Sequence, residues 1–251
     1  MRGCMTASPF RHHTLRLLLA FALCYALPVW GAEKILVATL EWPPYIGSQL
    51  PANGPLAEQS RRLFAAMGLQ QQLEFLPWRR VLRAMSEPGP HLAMLPEYDT
   101  QQRRNAFYCS RPFARATVSL AQNAHQPPLQ WTQLRELAPY TIGTVSGYVN
   151  TDEFDQLVAQ GTLKTEEAPS DLLNLRKVAA GRLPLAVIDP LVYHALLQQD
   201  SRLQAMANEI RLLPHPIGEQ GLVICFRRNG EGARLRDAFN TVLTQQKLHQ
   251  D

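Results

Sequence analysis

Two alternating rhythms of apolar and polar residues run along the chain from about residue 33. Lys34–Leu40 (KILVATL) predicts a strand. Pro55–Met67 predicts a helix, with Pro55 in its first turn, Leu56, Leu63, Phe64 and Met67 on one face, and Gly68 as its stop. Gln72–Leu76 predicts a second strand. Trp78, Val81, Leu82 and Met85 keep helical spacing until Pro88-Gly89-Pro90, and His91–Leu95 predicts a third strand. Asn105–Cys109 and Ala116–Gln122 also look strand-like, before a polar, proline-bearing stretch. The alternation then restarts. Tyr140–Val145 predicts a strand, and Asn150 with Glu153 reads as a capping pair for a helix reaching about Ala159. Ser170 caps a helix ending near Gly181, Leu183–Ile188 is an apolar run of the doubly buried kind, and Gly221–Phe226 is another strand. Leu235, Ala238, Phe239, Val242 and Leu243 line one face of a terminal helix. Repeated βαβ units, interrupted by an irregular zone around 110–135, predict two α/β lobes with parallel sheets.

The first thirty-odd residues stand apart from this pattern. Arg2, Arg11 and Arg16 precede an apolar run from Leu17 to Trp30, closed by the small residues Gly31 and Ala32. That layout is a secretory signal peptide cut after Gly31 or Ala32, which places the mature protein in the periplasm. The run is shorter than the roughly 20 residues a membrane span requires. Removing the leader changes the charge balance. It holds three of the 25 basic residues and none of the 21 acidic ones, leaving 22 against 21. No mature segment clusters Lys and Arg as nucleic-acid binding demands. Of four cysteines, Cys109 and Cys225 remain in an oxidising compartment, either as a disulfide or as two separate buried thiols.

Catalytic signatures are missing from the sequence: no G-x-S-x-G, no H-E-x-x-H, no phosphate-binding loop, no metal-ligand spacing among the histidines. No enzyme activity and no cofactor are expected. The informative residues are aromatics and isolated charges at strand ends, where open α/β sheets hold their ligands. Trp42-Pro43-Pro44-Tyr45 follows the first strand, and stiff prolines could present both rings to a cleft. Trp78-Arg79-Arg80 follows the second strand. Glu97, Tyr98 and Arg103 follow the third, and an arginine in a cleft can grip a carboxylate through two parallel hydrogen bonds. Asp189 ends the run Leu183–Ile188. It serves either as a ligand-facing carboxylate or as the N-cap of a helix beginning at Pro190.

These residues, in this order, resemble the family-3 bacterial extracellular solute-binding proteins. Glu41-Trp42-Pro43-Pro44-Tyr45 is similar to that family's opening W-x-P-[YF] segment, and Leu76–Arg80 to its P-W-x-R variant. Thr100–Phe113 is similar to T-x-E-R followed by F-S-x-P-[YF]; Gly143–Tyr148 resembles the second lobe's first strand and G-Y turn; Ala180–Asp189 resembles G-R-x-D-x-x-x-x-D. The resemblance implies a periplasmic-binding-protein-like type II fold. Two α/β lobes are joined by a two-strand hinge, lobe 1 being 33–112 plus 219–251 and lobe 2 113–218.

By the same resemblance, Arg103 holds a ligand carboxylate, Asp189 receives its ammonium, and Trp42 and Trp78 wall its side chain. Tyr148 and Val149, next to Gly147, supply a carboxylate-binding turn, with Tyr45, Arg80, Glu97 and Tyr98 completing the set. Both cysteines fall near the crossover strands, which favours their pairing. The chain departs from the family pattern at Cys109, Gln102 and Pro184, and Pro96, Tyr98 and Val149 make a bulkier pocket with fewer hydroxyls. The implied function is capture of a small polar, carboxylate-bearing ligand, an amino acid or related, by a monomer that closes its hinge and delivers to the membrane subunits of an ABC importer. The same fold also hosts a periplasmic dehydratase, and a sensor acting in trans on a membrane receptor is a further alternative.

Overall fold

The computed structural model of this protein describes residues 1, 3 and 32–248, so the Leu17–Trp30 run of the predicted leader lies outside the described residues. Glu33–Asp251 forms a compact unit of its own. Its elements are β1 (Glu33–Thr39), α1 (Pro55–Ala66), β2 (Leu69–Phe75), α2 (Trp78–Ser86), β3 (Ala93–Tyr98), α3 (Gln101–Ala106), β4 (Tyr108–Cys109) and β5 (Ala114–Asn123). There follow β6 (Thr141–Val145), α4 (Asp152–Ala159), β7 (Lys164–Ala168), α5 (Asp171–Ala179), β8 (Leu185–Ile188), α6 (Pro190–Gln199), α7 (Ser201–Ala205), β9 (Ile210–Leu212), β10 (Gly218–Phe226) and α8 (Gly230–Leu248).

The strands join into one sheet in the order β2-β1-β3-β10-β5-β8-β6-β7, with β4 beside β10 and β9 beside β5. Pairs β1·β2, β1·β3, β6·β7 and β6·β8 are parallel, as βαβ units require. The two α/β lobes meet at β5 and β10. Ala114–Val118 of β5 pairs antiparallel with β10, and from Ser119 onward the same strand pairs with β8 instead. Two strands therefore carry the chain between the lobes.

The inner strands of each sheet half are buried on both faces. Leu185 and Val187 point into a cluster with Leu120, Ile142 and Phe154, while Ala186 and Ile188 point the other way toward Leu175 and Val178 of α5. Period-two alternation of a fully apolar strand makes this arrangement possible. In the first lobe, Phe64 of α1, Phe226 of β10 and Phe239 of α8 pack edge to face, 5.5–6.4 Å apart. Such contacts add about 0.5–1.5 kcal/mol each beyond area burial.

Two local expectations fail for identifiable reasons. Asn105–Cys109 is not a strand throughout. Thr100 accepts from the Arg103 amide as an N-cap and starts α3, leaving only Tyr108–Cys109 as a strand. The cap of α4 is Thr151, accepting from the Phe154 amide, whereas Asn150 instead donates to Asp155. Arg227 closes the other end of α2, donating to carbonyls of Ala84, Met85 and Glu87. Cys109 and Cys225 lie opposite one another on β4 and β10 and are joined by a disulfide.

Candidate functional site

Parallel strands of both lobes deliver their carboxyl ends to one cleft. From the first lobe come the loop after β1, with Trp42 and Pro43, and the junction of β2 and α2, with Leu76 and Trp78. From the second come Tyr148 after β6, Asp171 and Leu172 after β7, and Val192 after β8. The cleft encloses about 770 Å³, in the range of sites for small molecules. Behind it, Trp42, Trp78, Pro96, Glu97, Tyr98, Tyr148 and Val149 surround a second void of about 30 Å³, room for roughly one water.

A proline sets the position of Glu97 and Tyr98. Pro96 has no N–H to give the ladder. Opposite it the pairing slips, so that Met94 to Glu97 spans the same length as Cys225 back to Val223. The bulge turns the end of β3 toward the cleft. Trp42 is held in turn by stacking on Tyr45 at 4.5 Å and by an edge contact with Tyr98 at 6.0 Å.

Hydrogen bonds cross from lobe to lobe. The Gly147 carbonyl accepts from Trp78 Nε1 at 3.0 Å and from Arg103 Nη2 at 2.5 Å. Gly147 has φ +83° at the tip of its turn, a region costly for other residues, and an added Cβ would stand 3.0 Å from Leu82. Trp78 meets Tyr148 edge-on at 5.9 Å. Arg79 reaches Ser146 at the exposed rim.

Arg103 and Asp189, expected to face each other across the ligand, do not share a cavity. Arg103 is buried on α3, where its Nε lies 2.6 Å from Glu97 Oε2. Burial pushes the Glu97 carboxyl up to about 7, while the Arg103 guanidinium and the Tyr98 amide pull it back. With Nε in an ion pair with Glu97 and Nη2 donating to the Gly147 carbonyl, two of the guanidinium's three nitrogens are engaged inside the protein. Asp189 is the N-cap of α6: Oδ1 accepts from the Leu191 and Val192 amides, and Oδ2 from the Thr117 amide and the Tyr45 hydroxyl. Four donors saturate it. Together with Tyr45 it lines a separate hollow beside the crossover strands, with Arg115, Thr117 and Glu219. Arg80 is exposed on α2 and lines neither cavity. Of the expected residues the structure thus gathers Trp42, Trp78, Glu97, Tyr98, Tyr148 and Val149, with Gly147 supplying a carbonyl rather than an amide.

The residue that sequence reasoning missed is Asp171. It sits in the first turn of α5, lines the large cleft, and is 9 % exposed. Its side-chain partner is the Tyr148 hydroxyl, donating at 3.4 Å. Burial raises its pKa to about 7; the Tyr148 bond lowers it, the nearby Asp189 charge raises it further, and no cation offsets the burial. The signal that could have found it is its place next to the Ser170 cap. Without β7, whose Lys-Thr-Glu-Glu-Ala sequence looks like no strand, that helix start was not visibly a sheet edge.

Among the described residues no group of three His, Cys, Asp or Glu could hold a metal ion, and no helix is long and apolar enough to cross a membrane. No family model matches the chain, and no curated protein does. Solved structures do. A histidine kinase sensor domain with similarity to periplasmic binding proteins superposes with TM-score 0.72 at 18% identity, covering 88% of this chain and 93% of that one. An ancestral arginine-binding protein bound to arginine gives 0.67 at 15%, covering 86% and 93%. The fold is that of a type II periplasmic binding protein. The ligand-binding core of GluR0 from Nostoc punctiforme, in complex with (L)-glutamate, shares the binding-protein fold at TM-score 0.66 and 15% identity, with 86% and 93% covered. In binding-protein terms β5 and β10 are the hinge, and the 770 Å³ cleft is the space between lobes.

Proposed function

We propose that this protein captures a small polar solute in the interlobe cleft by hinge closure. The observation that carries this reading is the set of cross-lobe hydrogen bonds that converge on one backbone atom. Trp78 and Arg103 both bind the Gly147 carbonyl, so the closed arrangement is built into the pocket walls. On this reading lobe 1 comprises about 33–112 plus 219–251 and lobe 2 about 113–218. The chain is exported to the periplasm as a monomer after losing its leader near Gly31 or Ala32.

Opening would withdraw the Gly147 carbonyl from Arg103. A ligand carboxylate would then compete for the freed guanidinium edge, as an amino acid or a related molecule could. A tenfold bias toward closure requires only about 1.4 kcal/mol of differential binding, within the range of one charge-assisted bond. Delivery to ABC importer subunits is the downstream step we favour. Signalling in trans is the second reading, favoured by the superposition on a sensor domain. Calorimetry on the purified protein, with native mass spectrometry of whatever it carries, tests the capture itself. Saturable one-to-one binding that shrinks the scattering radius supports it, and turnover of the bound molecule refutes it.

A further inference from the structure

From the cleft wall, we infer that the captured solute is an organic cation, and that Asp171 is the group that binds its positive end. This deepens the solute-capture reading and rests on it. The wall of the large cleft carries two carboxylates, Glu41 and Asp171, and no Lys, Arg or His. Glu41 is exposed and already accepts from the Ser48 amide. Asp171 is buried with one long side-chain hydrogen bond, from Tyr148, and help from its own backbone amide, but no cation. A buried carboxylate is normally paired with a cation or saturated with donors, because an isolated charge in a dry site is costly. Asp189 and Glu97 follow that rule, the first with four donors and the second with Arg103. Asp171 departs from it, and it faces the space where a guest would sit.

The surrounding rings agree with this assignment. Trp42, Trp78 and Tyr148 line the same cleft, and aromatic faces attract ammonium and guanidinium groups, most strongly where water is excluded. Closing the cleft on a cation would give Asp171 the counter-charge it lacks. Closing it on an anion would bring that charge toward a buried carboxylate with no basic residue between them. The site therefore selects primary amines or guanidinium groups and rejects a second acidic group.

The test uses the purified protein with arginine and putrescine as probes of net positive charge and glutamate and glutamine as probes of net negative and zero charge, read by calorimetry. Arginine or putrescine should bind at least tenfold more tightly than glutamate. Asp171→Asn should weaken the better cationic probe at least tenfold, whereas Glu153→Gln, the same charge loss on the exposed face of α4, should leave it within twofold. Circular dichroism confirms that each variant is folded. Glutamate binding as tightly as arginine, or an Asp171→Asn affinity within twofold of wild type, overturns the inference. Native mass spectrometry separates the two levels of failure. A neutral or anionic co-purified molecule overturns the cationic class while leaving solute capture standing. A protein that carries nothing and binds no probe overturns both.

Discussion

Joining Cys109 to Cys225 closes a loop across 116 residues, one that contains the whole stretch between the two hinge strands. Replacing both cysteines by alanine removes that constraint without burying hydroxyls at sites only 3% and 0% exposed. For a loop of this length the chain-entropy relation gives about 5 kcal/mol at 25 °C, and measured native bridges fall at roughly 2–5 kcal/mol. A domain of this size changes melting temperature by about 2–4 °C per kcal/mol, so the double variant should melt on the order of 10 °C lower. Wild type in reductant should approach the same value. Ligand affinity should stay within about threefold, because both cysteines lie where β10 pairs with β4, outside the cleft and away from the β5·β8 handover. Urea and thermal unfolding read the stability, and calorimetry reads the affinity. A stability loss under about 1 kcal/mol, or a tenfold affinity loss at unchanged stability, would refute the reasoning.

Two further outcomes follow from the buried charges. Arg103→Ala leaves Glu97 buried without its cation and should cost about 3–5 kcal/mol in denaturant unfolding; a cost below 1 kcal/mol would mean that the pair contributes nothing to the fold. Asp171 binds its proton more tightly folded, with a pKa of about 7, than unfolded, near 3.8. Its stabilising contribution is therefore complete below pH 4 and lost as pH rises through 7. Stability should decline over that window more steeply in wild type than in Asp171→Asn, and parallel curves would sink the assignment.

The strands buried on both faces were the most legible part of the fold. Lys34–Leu40 and Leu183–Ile188 are apolar enough to identify themselves, and Pro55 and Gly68 bracket α1 within a residue or two. The edge strand β7 was hidden because three of its five residues, Lys164, Glu166 and Glu167, are exposed, and its composition does little to favour a sheet. The short α3 was hidden by length: six residues give no measurable period, and its sole local signal was the Thr100 cap. Arg227 shows a third kind of opacity. Its role is to satisfy carbonyls at the end of α2, more than 130 residues away in sequence, and no local pattern encodes that.

The site was legible as a set of aromatic walls and illegible in its charges, for one physical reason. A sequence shows which carboxylates exist at strand ends but not how many donors each will meet. Asp189 precedes Pro190 and so stands at a helix start, where the free amides of Leu191 and Val192 reach Oδ1; the tertiary fold then brings Thr117 and Tyr45 to Oδ2. Asp171 also begins a helix, but one position later than the cap. Ser170 takes the capping bond there, so the neighbouring carboxylate is left over, pointing into the cleft with one tyrosine for company. The difference between a cap and the residue after it decides which acid is structural and which is available to a guest. A one-residue offset at a helix N-terminus thus moves the site's unspent negative charge from the hinge to the wall of the cleft.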